Sequence, residues 1–358
     1  MARTGDEARA RARGTLSRVE QEIRFVDSAS GRVAYAVVGA GPLLLLPCWW
    51  VGNLELMWTQ PSFRAFVQTL ARTHTVARFD RPGVGLSAPG PLLDAADEAS
   101  VAEAVIADVG RGPASLLGIS CGGCSSVVLA ATRPDLVERL VLYGAYAHGA
   151  ELSTPEVRAS LVGLVRAHWG LGSRTLADIF MPDADNDTRE DFARYQLRVS
   201  TAEEAAERLG LVYELDAGEH AAQVRVPTLV LHRRGDRAIP ARLGRALAAA
   251  IPGARFVPLE GRDHFPWVGD SDAVLRAIAA FLGTPAPTAV ANGGDGLLSE
   301  REREVLGLIA LGLSDAEIAS QLVLSPHTVH RHAANVRRKL RQPSRAAAVA
   351  EASRLGLL

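Results

Sequence analysis

Short apolar runs alternate with helical segments along most of the chain. Eight of these runs predict β-strands, because they are mostly aliphatic and are bounded by turn residues. They cover residues 22–27, 32–38, 42–47, 75–79, 114–119, 140–143, 227–231 and 254–258. Apolar strands separated by segments of helical period are typical of parallel sheets with helices on both faces. The pattern therefore predicts an α/β fold built on a mainly parallel sheet.

The alternation lapses between Tyr146 and Ala222. Aromatic residues such as Trp169 and Phe180 follow a helical pattern there, but no continuous apolar run suits a buried strand. We expect residues 147–222 to form a helical lid inserted into the sheet domain.

Two polar stretches mark the domain boundaries. Residues 1–19 are rich in arginine and lack an apolar period, which predicts a disordered arm. Residues 285–296 contain first prolines and then glycines, which predicts a linker. Because a single core stops growing near roughly 250–300 residues, we expect the 358-residue chain to hold two domains, at 20–284 and 297–358.

The composition is that of an ordinary globular protein, with 48% hydrophobic and 22% charged residues, which excludes disordered and disulfide-scaffold classes. The net charge of −1 conceals an uneven distribution. Residues 297–358 hold nine lysine and arginine residues against six aspartate and glutamate residues. Between Glu317 and Glu351 there is no carboxylate, whereas six basic side chains accumulate. Such a local positive field suits a polyanionic partner.

The three cysteines, Cys48, Cys121 and Cys124, are too few for a paired framework, and no apolar leader follows the arginine-rich start. We therefore expect a reducing, cytoplasmic location. The longest apolar run, residues 42–51, is about half of what a bilayer requires, so we expect no membrane span. We also expect neither a metal ion nor an organic cofactor.

A candidate nucleophile lies in Gly118-Ile-Ser-Cys-Gly122, between a predicted strand and an apolar helical run. This spacing fits the nucleophile elbow, in which flanking glycines let a serine occupy a sharp strand-to-helix turn. A serine hydroxyl is a poor nucleophile near neutral pH. Hydrolysis therefore also needs an imidazole that takes the hydroxyl proton and a carboxylate that orients the imidazole.

The carboxylate and the histidine follow the last two predicted strands, in the chain order that this scaffold requires. Asp236 comes after the seventh strand, and His264 comes after the eighth. Asp263 adjoins His264 and would point elsewhere, and the sixth strand ends without a carboxylate. We therefore predict a catalytic triad of Ser120, Asp236 and His264.

Residues 22–284 resemble the α/β-hydrolase family, because the elbow, the order of the triad and Asp80-Arg-Pro-Gly-Val-Gly-Leu-Ser87 match its motifs. The resemblance implies a serine hydrolase of the esterase type, a lid between strands six and seven, and a purely structural turn at 80–87. After the third strand, where many members carry His-Gly, this chain has Pro47-Cys-Trp-Trp50. By position in the family, the backbone N–H groups of Trp49 and Cys121 would form the oxyanion hole, which stabilises the negative charge of acyl transfer.

The last part of the chain predicts a small all-α domain of four helices with short connections. Ser299 and Glu302 form a capping box, Ser314 caps the next helix, and Ser325-Pro326 begins the third. Two short helices joined by a brief turn, the second of them basic, fit a helix-turn-helix whose second helix enters the major groove. The alternative is a small helical docking module with a solvated basic surface.

Residues 297–358 closely resemble the LuxR-type helix-turn-helix family. The matching positions are Leu298-Ser-x-Arg-Glu302, Gly312-Leu-Ser, Glu317-Ile-Ala319, Leu324-Ser, Thr328-Val, His332, Asn335, Lys339-Leu and Arg345. The resemblance implies contacts with double-stranded DNA. The residues that it assigns to phosphates are Thr328, Arg337, Lys339 and Arg345. Those that it assigns to base edges are His330, Arg331 and Ala334. It also implies that the last helix, residues 345–354, pairs two subunits into a homodimer.

Three functions remain open at this point. The leading one is a transcriptional regulator whose hydrolase-like domain senses a small apolar ester-type signal, with or without hydrolysing it. The second is an active serine hydrolase with an accessory DNA-binding domain. The third is a catalytically inactive sensor with the hydrolase fold. The segment Pro47–Trp50 separates them best, because it decides whether an oxyanion is stabilised.

Overall fold

The computed structural model describes residues 20–284, 298, 300–322, 326–340, 342–355 and 357–358, without the side chains of 300, 327, 328, 331 and 338. The arm predicted at 1–19 and the linker predicted at 285–296 lie outside the described residues. The chain divides into two compact units, Met1–Ala286 and Pro287–Leu358.

The first unit is built on an eight-stranded sheet, in the order β1-β2-β4-β3-β5-β6-β7-β8. The strands are β1 (Glu22–Ser28), β2 (Gly31–Val38), β3 (Leu43–Leu46), β4 (Thr75–Phe79), β5 (Ala114–Ile119), β6 (Val137–Tyr143), β7 (Thr228–Arg233) and β8 (Arg255–Leu259). The pairs β1–β2 and β2–β4 are antiparallel, and the other five pairs are parallel. The predicted mainly parallel sheet is confirmed, and the predicted strand ends differ from the observed ends by at most three residues.

The continuous apolar runs form the centre of this sheet. Every residue of β3, β5 and β7 is buried, as expected for parallel strands that are covered on both faces. The edge strand β1 instead alternates between half-buried and exposed residues. Because the strands from β3 onward are parallel, their carboxyl ends meet along one edge of the sheet.

Helices connect the strands and form the lid. Four of them lie between β3 and β6: α1 (Leu54–Trp58), α2 (Pro61–Leu70), α3 (Ala95–Val109) and α4 (Gly122–Thr132). Five more follow β6 after a short 3₁₀ helix (Gly149–Glu151): α5 (Pro155–Ala167), α6 (Trp169–Phe180), α7 (Asn186–Val199), α8 (Ala202–Glu214) and α9 (Gly218–Ala221). The last two are α10 (Ala241–Ala250) and α11 (Ser271–Leu282). The helical insertion expected between strands six and seven is therefore present.

Local signals set several helix ends. The Asp94 side chain accepts hydrogen bonds from two N–H groups at the start of α3, and α3 ends at Gly110 in the left-handed conformation (φ 65°). In the lid, Thr201 and Glu204 form a reciprocal capping box at the start of α8.

The second unit contains α12 (Glu300–Ala310), α13 (Asp315–Leu322), α14 (Pro326–Lys339) and α15 (Arg345–Arg354). Two apolar clusters hold these helices together. Val336 and Leu340 pack with residues of α12 and α15, whereas Val329 packs with residues of α12 and α13. The predicted four-helix arrangement is confirmed in the described part of this unit.

Across the described residues, no helix combines the length and the apolar character that a membrane crossing requires. The same residues contain no group of three or more histidine, cysteine, aspartate or glutamate side chains that could hold a metal ion.

Candidate active site and nucleic-acid interface

Ser120 lies on a strained turn between β5 and α4. Its φ of 56° is in the left-handed region, and it is the one residue other than glycine with a positive φ among the described residues. Such strain costs of order 1–3 kcal/mol and persists where the surroundings impose it. The flanking glycines are required, because a Cβ at Gly118 would come within 2.6 Å of the Ser126 Oγ, and one at Gly122 within 2.5 Å of the Cys48 carbonyl. This is the geometry of a nucleophile elbow.

His264 and Asp236 form a buried hydrogen-bonded pair. The His264 Nδ1 lies 2.7 Å from the Asp236 Oδ2, and both side chains are 1% exposed. The Asp236 Oδ1 accepts hydrogen bonds from the backbone N–H groups of Ala238 and Ile239, at 2.9 and 3.1 Å. Because a carboxylate only accepts, the Nδ1 of the neutral ring carries the hydrogen and the Nε2 carries the lone pair. Among the described residues that Nε2 has no hydrogen-bond partner, so its lone pair can accept a proton, although the Ser120 hydroxyl does not donate to it in this structure.

Strand register brings the three predicted residues to one edge of the sheet. Tyr143 at the end of β6 is paired with Ile119 of β5 and with Leu231 of β7. The Ser120 N–H donates to the Tyr143 carbonyl at 2.9 Å. A Cβ on the next residue, Gly144, would lie 3.1 Å from the His264 ring and 3.5 Å from the Asp236 carboxylate. Ser120, His264 and Asp236 therefore surround the same end of β6.

A second histidine, His232, lies beside the Asp236 carboxylate. Its Nε2 donates to the Ile239 carbonyl at 2.8 Å and is 3.6 Å from the Asp236 Oδ2. Complete burial lowers the pKa of His232, so its ring is neutral at neutral pH. The negative charge of Asp236 therefore remains available to His264.

Two of the cysteines near the site, Cys48 and Cys124, do not compete with Ser120 as nucleophiles. Burial raises the pKa of Cys48 to about 12 and holds the pKa of Cys124 well above its usual range. Since the thiolate is the reactive form, these two thiols stay inert near neutral pH.

The two residues expected to form the oxyanion hole flank the nucleophile. Cys121 follows Ser120 at the start of α4, and Trp49 lies in the loop after β3. The Cys48 carbonyl of that loop abuts Gly122 in the first turn of α4. In the described part of the chain, neither the Trp49 N–H nor the Cys121 N–H donates a hydrogen bond to another backbone group. Both remain available for a developing negative charge.

The Asp80 side chain holds the turn at 80–87 together. The Asp80 carboxylate accepts hydrogen bonds from the backbone N–H groups of Leu54 and Leu86, at 2.9 and 3.1 Å. However, Arg81 in the same turn folds inward and donates to the carbonyls of the Trp49 loop. No signal in the sequence predicts this contact, and the expectation of a purely structural segment does not account for it.

A second inward-folded arginine, Arg233, holds the loop that carries His264. Its guanidinium donates to the carbonyls of Asp263 at 2.8 Å and of Val268 at 2.5 Å. As predicted, the Asp263 carboxylate points away from the imidazole. It accepts a hydrogen bond from the Asp183 N–H at 2.9 Å. The sequence did not predict this role of Arg233 either, because only its position at the end of an apolar strand distinguishes it there.

Aromatic lid residues close over the site. Phe180 of α6 stacks on the His264 ring, with ring centroids 5.7 Å apart, and its carbonyl accepts the His264 N–H at 2.6 Å. Phe180 also approaches Trp50, at a centroid distance of 6.4 Å. The Tyr195 hydroxyl of α7 donates to the Val51 carbonyl at 3.1 Å. The wall that faces the imidazole is therefore apolar.

In the second unit, two of the predicted phosphate contacts form ion pairs within the protein. The Arg345 guanidinium donates to both carboxylate oxygens of Asp315, at 2.5 and 2.8 Å, which lowers the pKa of Asp315. The Lys339 Nζ lies 2.6 Å from the carboxylate of Glu302, a residue expected to act in a capping box. These pairs join α15 to α13 and α14 to α12.

The other predicted DNA-contacting residues lie on α14. The His330 side chain is 64% exposed and its Nδ1 is 3.5 Å from the Asp315 carboxylate. Ala334 is half-buried, and the Arg337 guanidinium donates to the Pro343 carbonyl at 3.3 Å. The side chains of Thr328 and Arg331 lie outside the described residues.

A mainly parallel sheet with a lid, a strained serine elbow and a buried histidine–aspartate pair defines the α/β-hydrolase class of protein. Residues 43–277 match the Alpha/beta hydrolase family, and the chain belongs to this family. Residues 296–352 match the Bacterial regulatory proteins, luxR family. The chain thus carries a LuxR-type DNA-binding domain fused to an α/β-hydrolase domain, as the sequence motifs indicated.

Individual relatives agree with the hydrolase assignment. The chain is 28% identical over 232 residues to a pimeloyl-[acyl-carrier protein] methyl ester esterase of Neisseria meningitidis serogroup B, covering 62% of this chain and 87% of that protein. It is 32% identical over 265 residues to the polyketide synthase ThaQ of Burkholderia thailandensis, covering 71% of this chain but only 12% of that much longer protein. The crystal structure of a hydrolase from Pseudomonas aeruginosa PA01 superimposes with a TM-score of 0.63 at 25% identity, covering 74% of this chain and 99% of that one.

Proposed function

We propose that this protein is a DNA-binding transcriptional regulator whose α/β-hydrolase domain binds and hydrolyses a small apolar ester. The observation that carries the proposal is the buried His264–Asp236 pair, in which the His264 Nε2 has no hydrogen-bond partner among the described residues. The same chain holds the strained Ser120 and a LuxR-type domain. An inactive sensor has no need to retain both the strained elbow and the oriented imidazole.

The chemistry follows from this arrangement. The Ser120 Oγ forms a bond to the ester carbonyl carbon while the His264 Nε2 takes the hydroxyl proton, and the carbonyl electron pair moves to oxygen. The N–H groups of Trp49 and Cys121 stabilise that oxyanion. Collapse expels the alcohol, which takes the proton from His264 and leaves an acyl-enzyme. Water then attacks the acyl group with His264 as base and releases the acid and Ser120.

An apolar substrate suits the lining of the site. Phe180 and Phe265 lie against the imidazole, Trp50 lies beside Phe180, and all three are buried. Such walls favour acyl chains over polar groups, which would lose hydrogen bonds to water without replacement. The Neisseria relative is by its name a methyl ester esterase, which supports an ester as the substrate class.

The LuxR-type domain supplies the DNA-binding half of the function. We infer that α14 enters the major groove, with His330, Arg331 and Ala334 toward base edges. The phosphates would be contacted by Thr328, Arg337, Lys339 and Arg345. Lys339 and Arg345 would do so while paired with Glu302 and Asp315. We further infer a homodimer paired through α15 and a cytoplasmic location, since a promoter is the target.

Two assays on one preparation of the full-length chain test this proposal. The chain should hydrolyse p-nitrophenyl butyrate, and it should bind a duplex selected from a random pool, as measured by fluorescence anisotropy. If the chain hydrolyses the ester but binds no duplex, the regulatory role is contradicted and the protein is an esterase. If the chain binds the duplex, does not hydrolyse the ester and has a melting temperature that apolar esters raise, it is the catalytically inactive sensor.

Replacing Arg331 or Arg337 separates base reading from phosphate contact. Arg331→Ala should cost about 1–3 kcal/mol on the selected duplex and little on a scrambled one, because a base-edge contact is lost. Arg337→Ala should weaken both duplexes alike and lower the slope of log affinity against log salt by about one, because one counterion fewer is released. Equal loss on both duplexes for Arg331→Ala would contradict this assignment of the helix face.

A further inference from the structure

The Arg81 guanidinium lies against three successive carbonyls of the loop that carries Trp49. Its Nη2 donates to the Cys48 carbonyl at 3.0 Å, and its Nη1 lies 2.7 Å from the Trp49 carbonyl and 3.4 Å from the Trp50 carbonyl. A planar guanidinium presents several donors in a rigid fork, so it can hold a backbone segment in one orientation. The loop is therefore held from the Arg81 side.

A buried carboxylate keeps this guanidinium in place. The Glu98 carboxylate of α3 accepts a hydrogen bond from the Arg81 Nε, and the two side chains are 2% and 11% exposed. Separating the two side chains of such a buried pair would leave an uncompensated charge in the interior, so each holds the other in place. The Arg81 fork is therefore oriented before any substrate arrives.

The Cys48 carbonyl and the Trp49 N–H belong to the same peptide plane. In a trans peptide these two groups point in opposite directions, so a donor that holds the carbonyl also sets the direction of the N–H. A positive charge at the carbonyl oxygen also polarises the peptide, which makes its N–H a stronger donor. Arg81 thus orients and polarises the Trp49 N–H, the expected oxyanion donor, by binding the Cys48 carbonyl on the opposite side of the same peptide.

The side chain of Cys121, the residue that carries the second expected donor, contacts the same guanidinium. The Arg81 Nη2 lies 3.7 Å from the Cys121 Sγ. The Cys48 carbonyl, which Arg81 binds, also abuts Gly122, where a Cβ would lie 2.5 Å from it. One side chain therefore contacts both segments that carry the oxyanion hole.

We propose that Arg81, held by Glu98, is the positioning residue of the oxyanion hole. The proposal rests on the proposed hydrolase function. It identifies what orients the donor peptide of Trp49 in a chain that carries Pro-Cys-Trp-Trp where many family members carry His-Gly.

The test is a comparison of steady-state constants for p-nitrophenyl butyrate in the full-length chain. Arg81→Met should lower kcat by about a hundredfold, the loss typical of one oxyanion donor, with KM changed by less than about threefold. Affinity for a boronic acid, which forms a tetrahedral anionic adduct with the serine, should fall by a similar factor. A purely structural role would not link these two losses.

Two further variants complete the design. Arg78→Met is the matched control, because Arg78 is also a buried arginine, stacked on the Phe63 ring and bonded to Gln21 rather than to the loop. It should keep kcat within about threefold of wild type. Arg81→Lys retains a charge for Glu98 but lacks the fork, so it should lose about tenfold in kcat and carries the test if Arg81→Met does not fold.

The outcomes separate this inference from the proposed function. A folded Arg81 variant with wild-type kcat, or an equal loss in Arg78→Met, overturns the positioning role while the wild-type activity upholds the hydrolase. If the wild-type chain does not hydrolyse the ester and is not labelled at Ser120, both the positioning role of Arg81 and the proposed hydrolase function are overturned.

Discussion

Ser120→Ala should abolish covalent labelling of the full-length chain by a fluorophosphonate and lower ester turnover by about 10⁵-fold or more. The reason is that the buried thiols of Cys48 and Cys124 stay protonated, so neither of them replaces the hydroxyl as the nucleophile. Labelling is measured by fluorescence in a denaturing gel and turnover by release of p-nitrophenol. Ser125→Ala is the matched control, because Ser125 is a buried serine of α4, the helix after the Ser120 turn, and its hydroxyl donates to the Gly122 carbonyl.

His264→Ala should also prevent labelling, because no other group takes the Ser120 proton. The Ser125→Ala variant should label like wild type. An unlabelled wild-type chain whose melting temperature still rises with small apolar esters would contradict the hydrolase proposal and favour the inactive sensor.

Asp236→Asn should lower kcat by about 10⁴-fold with the fold intact. The asparagine amide offers a donor where the His264 Nδ1–H needs an acceptor, so the ring is held in the wrong tautomer and its imidazolium loses a counter-charge. The measurement is kcat for p-nitrophenyl butyrate, with the melting temperature as the check on folding.

Asp263→Asn is the control for this prediction. Asp263 is the neighbour of His264 in sequence, but its carboxylate binds the Asp183 N–H. It should keep kcat within a few-fold of wild type. A larger loss in Asp263→Asn than in Asp236→Asn would show that the wrong carboxylate was assigned.

Much of the fold could be predicted from the sequence because its strands are nearly continuous apolar runs. Buried parallel strands leave such runs, and the chain order of Ser120, Asp236 and His264 at three strand ends then predicts where the side chains meet. The elbow motif likewise predicts a strained turn at Ser120, whereas its left-handed backbone conformation is known only from the structure.

The buried arginines could not be predicted in this way. The chain has 39 lysine and arginine residues, and most arginines at turns are solvated. Nothing in the local pattern shows that Arg81 and Arg233 fold inward, because the carbonyls that they bind lie about thirty residues away in the sequence. Their roles depend on tertiary packing.

The ion pairs of the C-terminal unit were missed for the same reason. Lys339 and Glu302 are 37 residues apart, and Arg345 and Asp315 are 30 apart. From the sequence, Lys339 and Arg345 have only the roles that the family resemblance assigns to them. The structure adds that both also join helices.

The measurement that tests the central claim most directly is the operator affinity of the full-length chain before and after covalent occupation of Ser120. Fluorescence anisotropy on the selected duplex would compare untreated and fluorophosphonate-treated wild type, with treated Ser120→Ala as the control for effects elsewhere. If the hydrolase site is the sensor of a regulator, treatment should change Kd by roughly 5- to 150-fold, the usual range of coupling between sites, and leave Ser120→Ala unchanged. The same Kd before and after stoichiometric labelling of the wild type would contradict the claim.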